Sequence, residues 1–206
     1  DYVEASMFGY AAAKTIESFW NFYLSVNDNV VAQFHEWMSG LGVLYLKENT
    51  PQIATVFTTH ATVTGRSIAG NDQPLYDKLN EYNGDVKAKE LSVTSKHSLE
   101  KLSAHNADCF TTVSDITANE CKQLLGKEVD IVTPNGFDDS FIPPDENYEQ
   151  FRSRARAKLL EVAAALLNHQ VPEDSVIVAN SGRYEFKNKG IDIFIRAMGE
   201  LNKQQD

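Results

Sequence analysis

The sequence predicts an α/β protein built on a parallel sheet. Two observations predict it: short β-branched runs alternate with longer amphipathic stretches, and polar, titratable residues follow directly on three of those runs. Alternation of this kind is the pattern of parallel sheets covered by helices on both faces. Composition agrees: 206 residues, 42% apolar and 23% charged, describe an ordinary soluble globular chain of one to two domains.

Taken in order, Met7 to Phe22 is rich in Ala and aromatics and free of Pro, and reads as a mostly buried helix. Asn29 to Phe34 is a strand, Glu36 to Glu48 a helix, and Ile53 to Thr59 a second strand. Lys87 to Asn106 reads as one long helix and Asp108 to Val113 as a third strand. Ser114 stands as an N-cap before Thr117 and Glu120. Asp130 to Thr133 is a fourth strand, closed by the turn signal Pro134-Asn135-Gly136. Beyond Pro143-Pro144, the residues Tyr148, Phe151, Ala155, Leu159, Val162 and Leu166 step by three and four, marking a long amphipathic helix. Ser175 to Ala179 begins another strand, followed by a loop to Lys189 and a helix from Gly190 to about Leu201. Domain boundaries follow: 1–139 a first α/β unit, 140–174 a linker with the long helix, and 175–206 the first βα unit of a second domain. The opening helix has no preceding strand and the second unit only one, so the chain is expected to be a piece of a larger protein, truncated at both ends.

Several function classes are disfavoured. With 19 basic against 29 acidic residues the net charge is −10, which argues against nucleic-acid and anionic-membrane partners. The longest apolar run, Val162 to Leu167, is far below the ~20 residues of a membrane span. Asp1-Tyr2-Val3-Glu4 lacks a basic region and does not read as a signal peptide. Cys109 and Cys121 have neither disulfide-framework nor zinc spacing, so a cytoplasmic setting is expected and no metal site is visible. His97, His105 and His169 read as structural or solvated.

Three strand-end clusters remain, where ligands of open α/β sheets bind. His35 ends the first strand and is either a catalytic or sugar-binding residue or a cap on the sheet edge. Thr58-Thr59-His60-Ala61-Thr62 ends the second, with Arg66 a turn later, and suits either a close backbone approach to a ligand or ordinary capping. Gly182-Arg183-Tyr184-Glu185-Phe186 and Asn188-Lys189-Gly190 lie between a strand and a helix N-terminus. Free amides and the helix dipole there favour an anion, Arg183 offers a planar fork and Lys189 a point charge. An exposed basic loop is the alternative.

These clusters, together with Val56-Phe57 before Thr58, Ala104-His105, Phe110-Thr111-Thr112-Val113-Ser114 and Ile131-Val132-Thr133-Pro134-Asn135-Gly136, resemble in order the glycogen synthases of the animal and fungal type, including bacterial relatives. The resemblance covers nearly the whole chain, and is weakest from Gly70 to Val93. It implies two Rossmann-like domains in the GT-B arrangement. It also implies retaining transfer of glucose from UDP-glucose to the non-reducing end of an α-1,4-glucan, with no cofactor and no metal. In the family the histidine matching His35 is treated as catalytic, and the residues matching Arg183 and Lys189 hold the donor diphosphate. Thr59, His60, Arg66 and Asn135 are further candidate cleft residues. The family's glycine-rich donor loop would precede Asp1 and its acidic motif would follow Asp206, so the piece alone is expected to be inactive. Two other readings stay open: another retaining GT-B glycosyltransferase, and a non-catalytic module binding glucan or nucleotide. Homo-oligomerisation of the full-length protein is also left open.

Overall fold

The computed structural model describes residues 2–187 and 189–204. Two compact units divide after Asn135. In the first, α1 (Val3–Tyr23) leads to β1 (Val31–His35), α2 (Glu36–Ser39), α3 (Leu41–Asn49), β2 (Ala54–Thr59) and α4 (Val63–Gly70). A 3-10 turn at Leu79–Glu81 precedes α5 (Gly84–Glu90), α6 (Thr94–Asn106), β3 (Cys109–Thr112), α7 (Asp115–Leu125) and β4 (Ile131–Val132). The four strands form one parallel sheet in the order β1-β2-β3-β4, with Phe34 beside Phe57 and Phe57 beside Phe110. The protein is α/β, as the alternation predicts. Parallel register puts every strand's carboxyl end on one edge, so His35 and Thr59 end at the same rim.

The core sits against one face of this sheet. Phe57 and Phe110, both fully buried, stack at 6.0 Å and are enclosed by Val43, Leu46, Cys121 and Leu125. Two carboxylates secure strand starts: Asp108 accepts from the backbone N–H and hydroxyl of Thr55, and Asp130 accepts from the Phe110 N–H. The Lys47 ammonium, helped by the Thr55 donors, holds the Asp108 carboxyl below the usual range against the opposing pull of burial. Helix ends follow local chemistry. Ser114 caps the Thr117 amide, Thr62 caps Gly65 and Asn83 caps Val86, each at 2.9–3.2 Å. Gly126, at φ 67°, closes α7 in the left-handed conformation that glycine adopts without strain.

Four expectations need correction. First, α1 is a helix but not a buried one. It buries only Gly9 and Ala13 and leaves Phe8, Phe19 and Phe22 more than half exposed. Its small face lies close to α2, where a Cβ on Gly9 would come within 2.8 Å of the Ser39 carbonyl oxygen. Second, the helices expected at Glu36 to Glu48 and Lys87 to Asn106 are each broken, at Gly40 and at Leu91–Val93, where Ser92 has φ 58°. A continuous helix would hold residues 85 and 97 ~18 Å apart. The break folds α5 back so that Asp85 accepts from His97 at 3.0 Å. Third, β1 alternates exposed and buried residues, so helices do not cover both faces of the sheet at this strand among the described residues. Fourth, the expected strand at Ser175 to Ala179 has no ladder partner among the described residues, and Val176 is 87% exposed. β-branched composition favours extended backbone, but a strand exists only through hydrogen bonds to a neighbour.

The second unit contains α8 (Asp145–Leu167), entered through Pro143-Pro144, and α9 (Ile191–Lys203). α8 carries the predicted apolar stripe but buries none of its residues among those described. Arg156 turns back from it to donate to the carbonyls of Glu173 and Ser175. Asn188 lies outside the described residues. No helix of the described residues is long and apolar enough to cross a membrane.

The tightest backbone approach is at Gly84, where an added Cβ would overlap the Leu124 carbonyl of α7. Gly84→Ala is expected to lower the unfolding free energy by about 2 kcal/mol or more, since the opposing Leu124 atoms are all main chain and cannot swing away. Gly70→Ala, with nothing within 4 Å of the new carbon, should stay near neutral. Paired denaturant melts decide this, and equal effects would refute it.

Candidate functional site

The site begins at the shared rim of β1 and β2. His35 ends β1 and is exposed; His60 follows β2 directly. His35 Nδ1 and His60 Nε2 lie 3.1 Å apart, with ring planes 28° from parallel. The next residue, Glu36, has φ 62°, a left-handed backbone that costs a non-glycine residue about 1–3 kcal/mol. Its carboxylate offsets that strain by accepting from the His60 N–H at 3.1 Å and from the Arg66 guanidinium at 3.4 Å. The Ser39 hydroxyl donates to the His35 carbonyl at 2.6 Å. His35, His60 and Arg66 are therefore brought together through Glu36, which the sequence suggested only as a helix-opening acid.

Beneath this rim lies a buried polar network. Thr59, expected at the cleft, is fully buried and donates its hydroxyl to Glu100 of α6 at 2.9 Å. Glu100 also accepts from the Val63 N–H at 2.9 Å. Glu120 of α7 accepts from the Thr62 N–H at 2.8 Å and from the Thr62 hydroxyl at 2.6 Å. His97 meets the Thr64 hydroxyl at 2.9 Å, and burial holds its imidazole below the ordinary pKa although Asp85 pulls the other way. Two acids and a histidine thus grip each turn of the segment from Thr59 to Gly65. Gly65 is required here, because a Cβ would strike the Glu120 carboxylate. Glu100 was not singled out from the sequence. The available signal was an acid flanked at helical spacing by His97, Ser103 and Ala104, all buried.

The basic loop belongs to the second unit. Arg183 is largely exposed and pairs with Glu185 at 3.2 Å. The aliphatic stem of Lys189 passes 3.7 Å from where a Cβ on Gly182 would sit, so one loop presents both cations. Gly190, at φ 65°, turns the chain into α9. The expected set of free amides is smaller than the sequence suggested: the Phe186 carbonyl accepts from both the Ile191 and Asp192 N–H groups. An anion here would rely mainly on the side-chain cations. Asn135 is exposed, past the end of β4. Among the described residues no group of three His, Cys, Asp or Glu side chains is placed to hold a metal ion.

Comparison with known proteins identifies related sequences over nearly the whole chain. A family model described as glycogen synthase matches residues 1–205. The human liver glycogen (starch) synthase is 35% identical over 176 residues, covering 84% of this chain and 25% of that protein. The glycogen (starch) synthase of Neurospora crassa is 33% identical over 202 residues, covering 97% of this chain and 28% of its own. That of Dictyostelium discoideum is 34% identical over 205 residues, covering 97% and 23%. The chain thus spans about a quarter of the length of these relatives.

Burial pushes the Glu100 carboxyl up to about 8, with Glu36 and Glu120 adding to the rise and the Val63 and Thr59 donors opposing it. An unfolded glutamate titrates near 4.5, so between about pH 4.5 and 8 the folded state keeps a proton the unfolded state has released. The stability contributed by Glu100 is therefore complete below pH 4.5 and is lost as pH rises through about 8. Glu100→Gln, whose amide can accept from Val63 and donate to Thr59, should remove that decline from the profile of unfolding free energy against pH. Glu100→Ala leaves two buried donors unpaired and should cost about 2–5 kcal/mol. A Gln variant with the parent's full decline would refute this account.

Proposed function

Because the chain belongs to the glycogen synthase family, we propose that the protein it represents transfers glucose from UDP-glucose to the non-reducing end of an α-1,4-glucan. The transfer retains anomeric configuration, on a GT-B architecture and in the cytoplasm. The observation that carries this reading is the family match over residues 1–205, a span that contains the strand-end histidine and the Arg/Lys loop.

Each group has a chemical task under this reading. Breaking the sugar–phosphate bond leaves negative charge on the departing diphosphate. Arg183 and Lys189 stabilise it, the first through a planar fork and the second as a point charge. Exposure of both side chains leaves them available to phosphate oxygens, with Glu185 as the group Arg183 releases. His35 hydrogen-bonds the donor sugar as positive character develops at its anomeric centre. His60 and Arg66 line the same rim, and Thr59 acts from beneath it through Glu100.

Incorporation of labelled glucose from UDP-glucose into glycogen by the intact protein tests the reaction, and calorimetry with UDP, ADP and GDP tests the nucleotide. Arg183→Ala or Lys189→Ala should lower turnover by roughly 10²–10³-fold, the scale for one preorganised stabilising contact. An effect under about threefold in both would remove their proposed role. His35→Ala should reduce turnover more than it weakens UDP binding; the reverse would make it a binding residue.

A further inference from the structure

The contact between the two histidine rings constrains more than their positions. A neutral imidazole has one N–H and one bare nitrogen, so a 3.1 Å contact between His35 Nδ1 and His60 Nε2 needs a single proton between them. If His35 Nδ1 carried it, His60 would be left protonated at Nδ1, and both rings would hold the less stable neutral tautomer. If His60 Nε2 carries it, both rings hold the Nε2–H form, which is the more stable one for a histidine side chain. The second arrangement is the lower in energy, and it leaves the outward nitrogen of His35 as an N–H donor.

We propose that His60 is a positioning residue for His35: its Nε2–H donates to His35 Nδ1 and so fixes His35 as a hydrogen-bond donor, through Nε2, to an oxygen of the bound sugar. The backbone supports this assignment. His60 is held by its own N–H to Glu36 at 3.1 Å, and Glu36 keeps a left-handed φ of 62° immediately after His35. Arg66 bonds the same Glu36 oxygen, and Ser39 holds the His35 carbonyl at 2.6 Å. The main chain on both sides of the pair is thus tied down, so the ring-to-ring bond decides the remaining freedom, which is tautomer and ring rotation. A donor at this place steadies a sugar oxygen but does not remove a proton from it, which separates the role from that of a general base.

The inference rests on the reading of His35 as a donor-sugar residue, and two measurements on the intact protein keep their failures apart. Nitrogen NMR of the histidine-labelled protein, above the pH at which imidazoles are neutral, should find His35 bare at Nδ1 and protonated at Nε2. His60→Ala should release that preference. Turnover with UDP-glucose and glycogen should fall by about 10- to 100-fold in His60→Ala with little change in KM for the nucleotide sugar. His60→Gln, whose amide N–H can occupy the position of Nε2–H, should restore turnover to within about threefold. An Nδ1–H tautomer at His35, or equal losses in the Ala and Gln variants, would overturn the proposal. If the unaltered protein transfers no glucose, the proposed function fails, while the tautomer is still decided by NMR.

Discussion

Two carboxyl groups without access to water hold the turn from β2 into α4, and the geometry of the first unit's rim depends on them. Glu100 and Glu120 come from different helices, α6 and α7, and each takes one backbone N–H and one hydroxyl from the segment Thr59 to Val63. A buried carboxylate is costly unless its oxygens are met by donors. Most of the donors here belong to the segment that has to be held, with the Tyr76 hydroxyl adding one to Glu120, so the cost of burial is largely offset only when that turn has its native shape. Gly65 completes the arrangement by leaving room for the Glu120 oxygen.

From that anchor the rim follows. His60 is the first residue after the held strand end, and its N–H is aimed at Glu36. Glu36 tolerates an unfavourable backbone because two donors meet its carboxylate. The strained residue and the histidine before it thus form one device, in which local strain at a strand end is maintained by contacts from the neighbouring strand. The basic loop of the second unit is built on different physics. Its cations are exposed, its helix amides are partly capped by Phe186, and its turn depends on Gly190 in a left-handed conformation.

Much of this was legible in the sequence where the signal was periodic or local. The strands from Val31 to His35, Ala54 to Thr59 and Cys109 to Thr112 lie within or beside the β-branched runs that predict them, and the Ser114 cap forms as its spacing implies. Errors came where a contact distant in sequence outweighed local preference. Helix-compatible residues from Lys87 to Asn106 are broken at Ser92, which lets His97 meet Asp85, and nothing within that stretch announces the break. Ser175 to Ala179 has strand composition but no neighbour to pair with among the described residues. The burial of α1 was overestimated because an aromatic-rich sequence says which residues are apolar, not which side meets a partner.

The amino-acid order by itself determined the α/β class, the succession of strand ends and the residues with useful chemistry on them, because each depends on short-range periodicity and residue type. Tertiary structure alone decided that Thr59 faces inward to Glu100, that Glu36 links His60 to Arg66, and that the rings of two histidines 25 positions apart meet at 3.1 Å. Those relations are distances between segments separated in sequence, and they are set only when parallel pairing of β1 with β2 brings both strand ends to one rim.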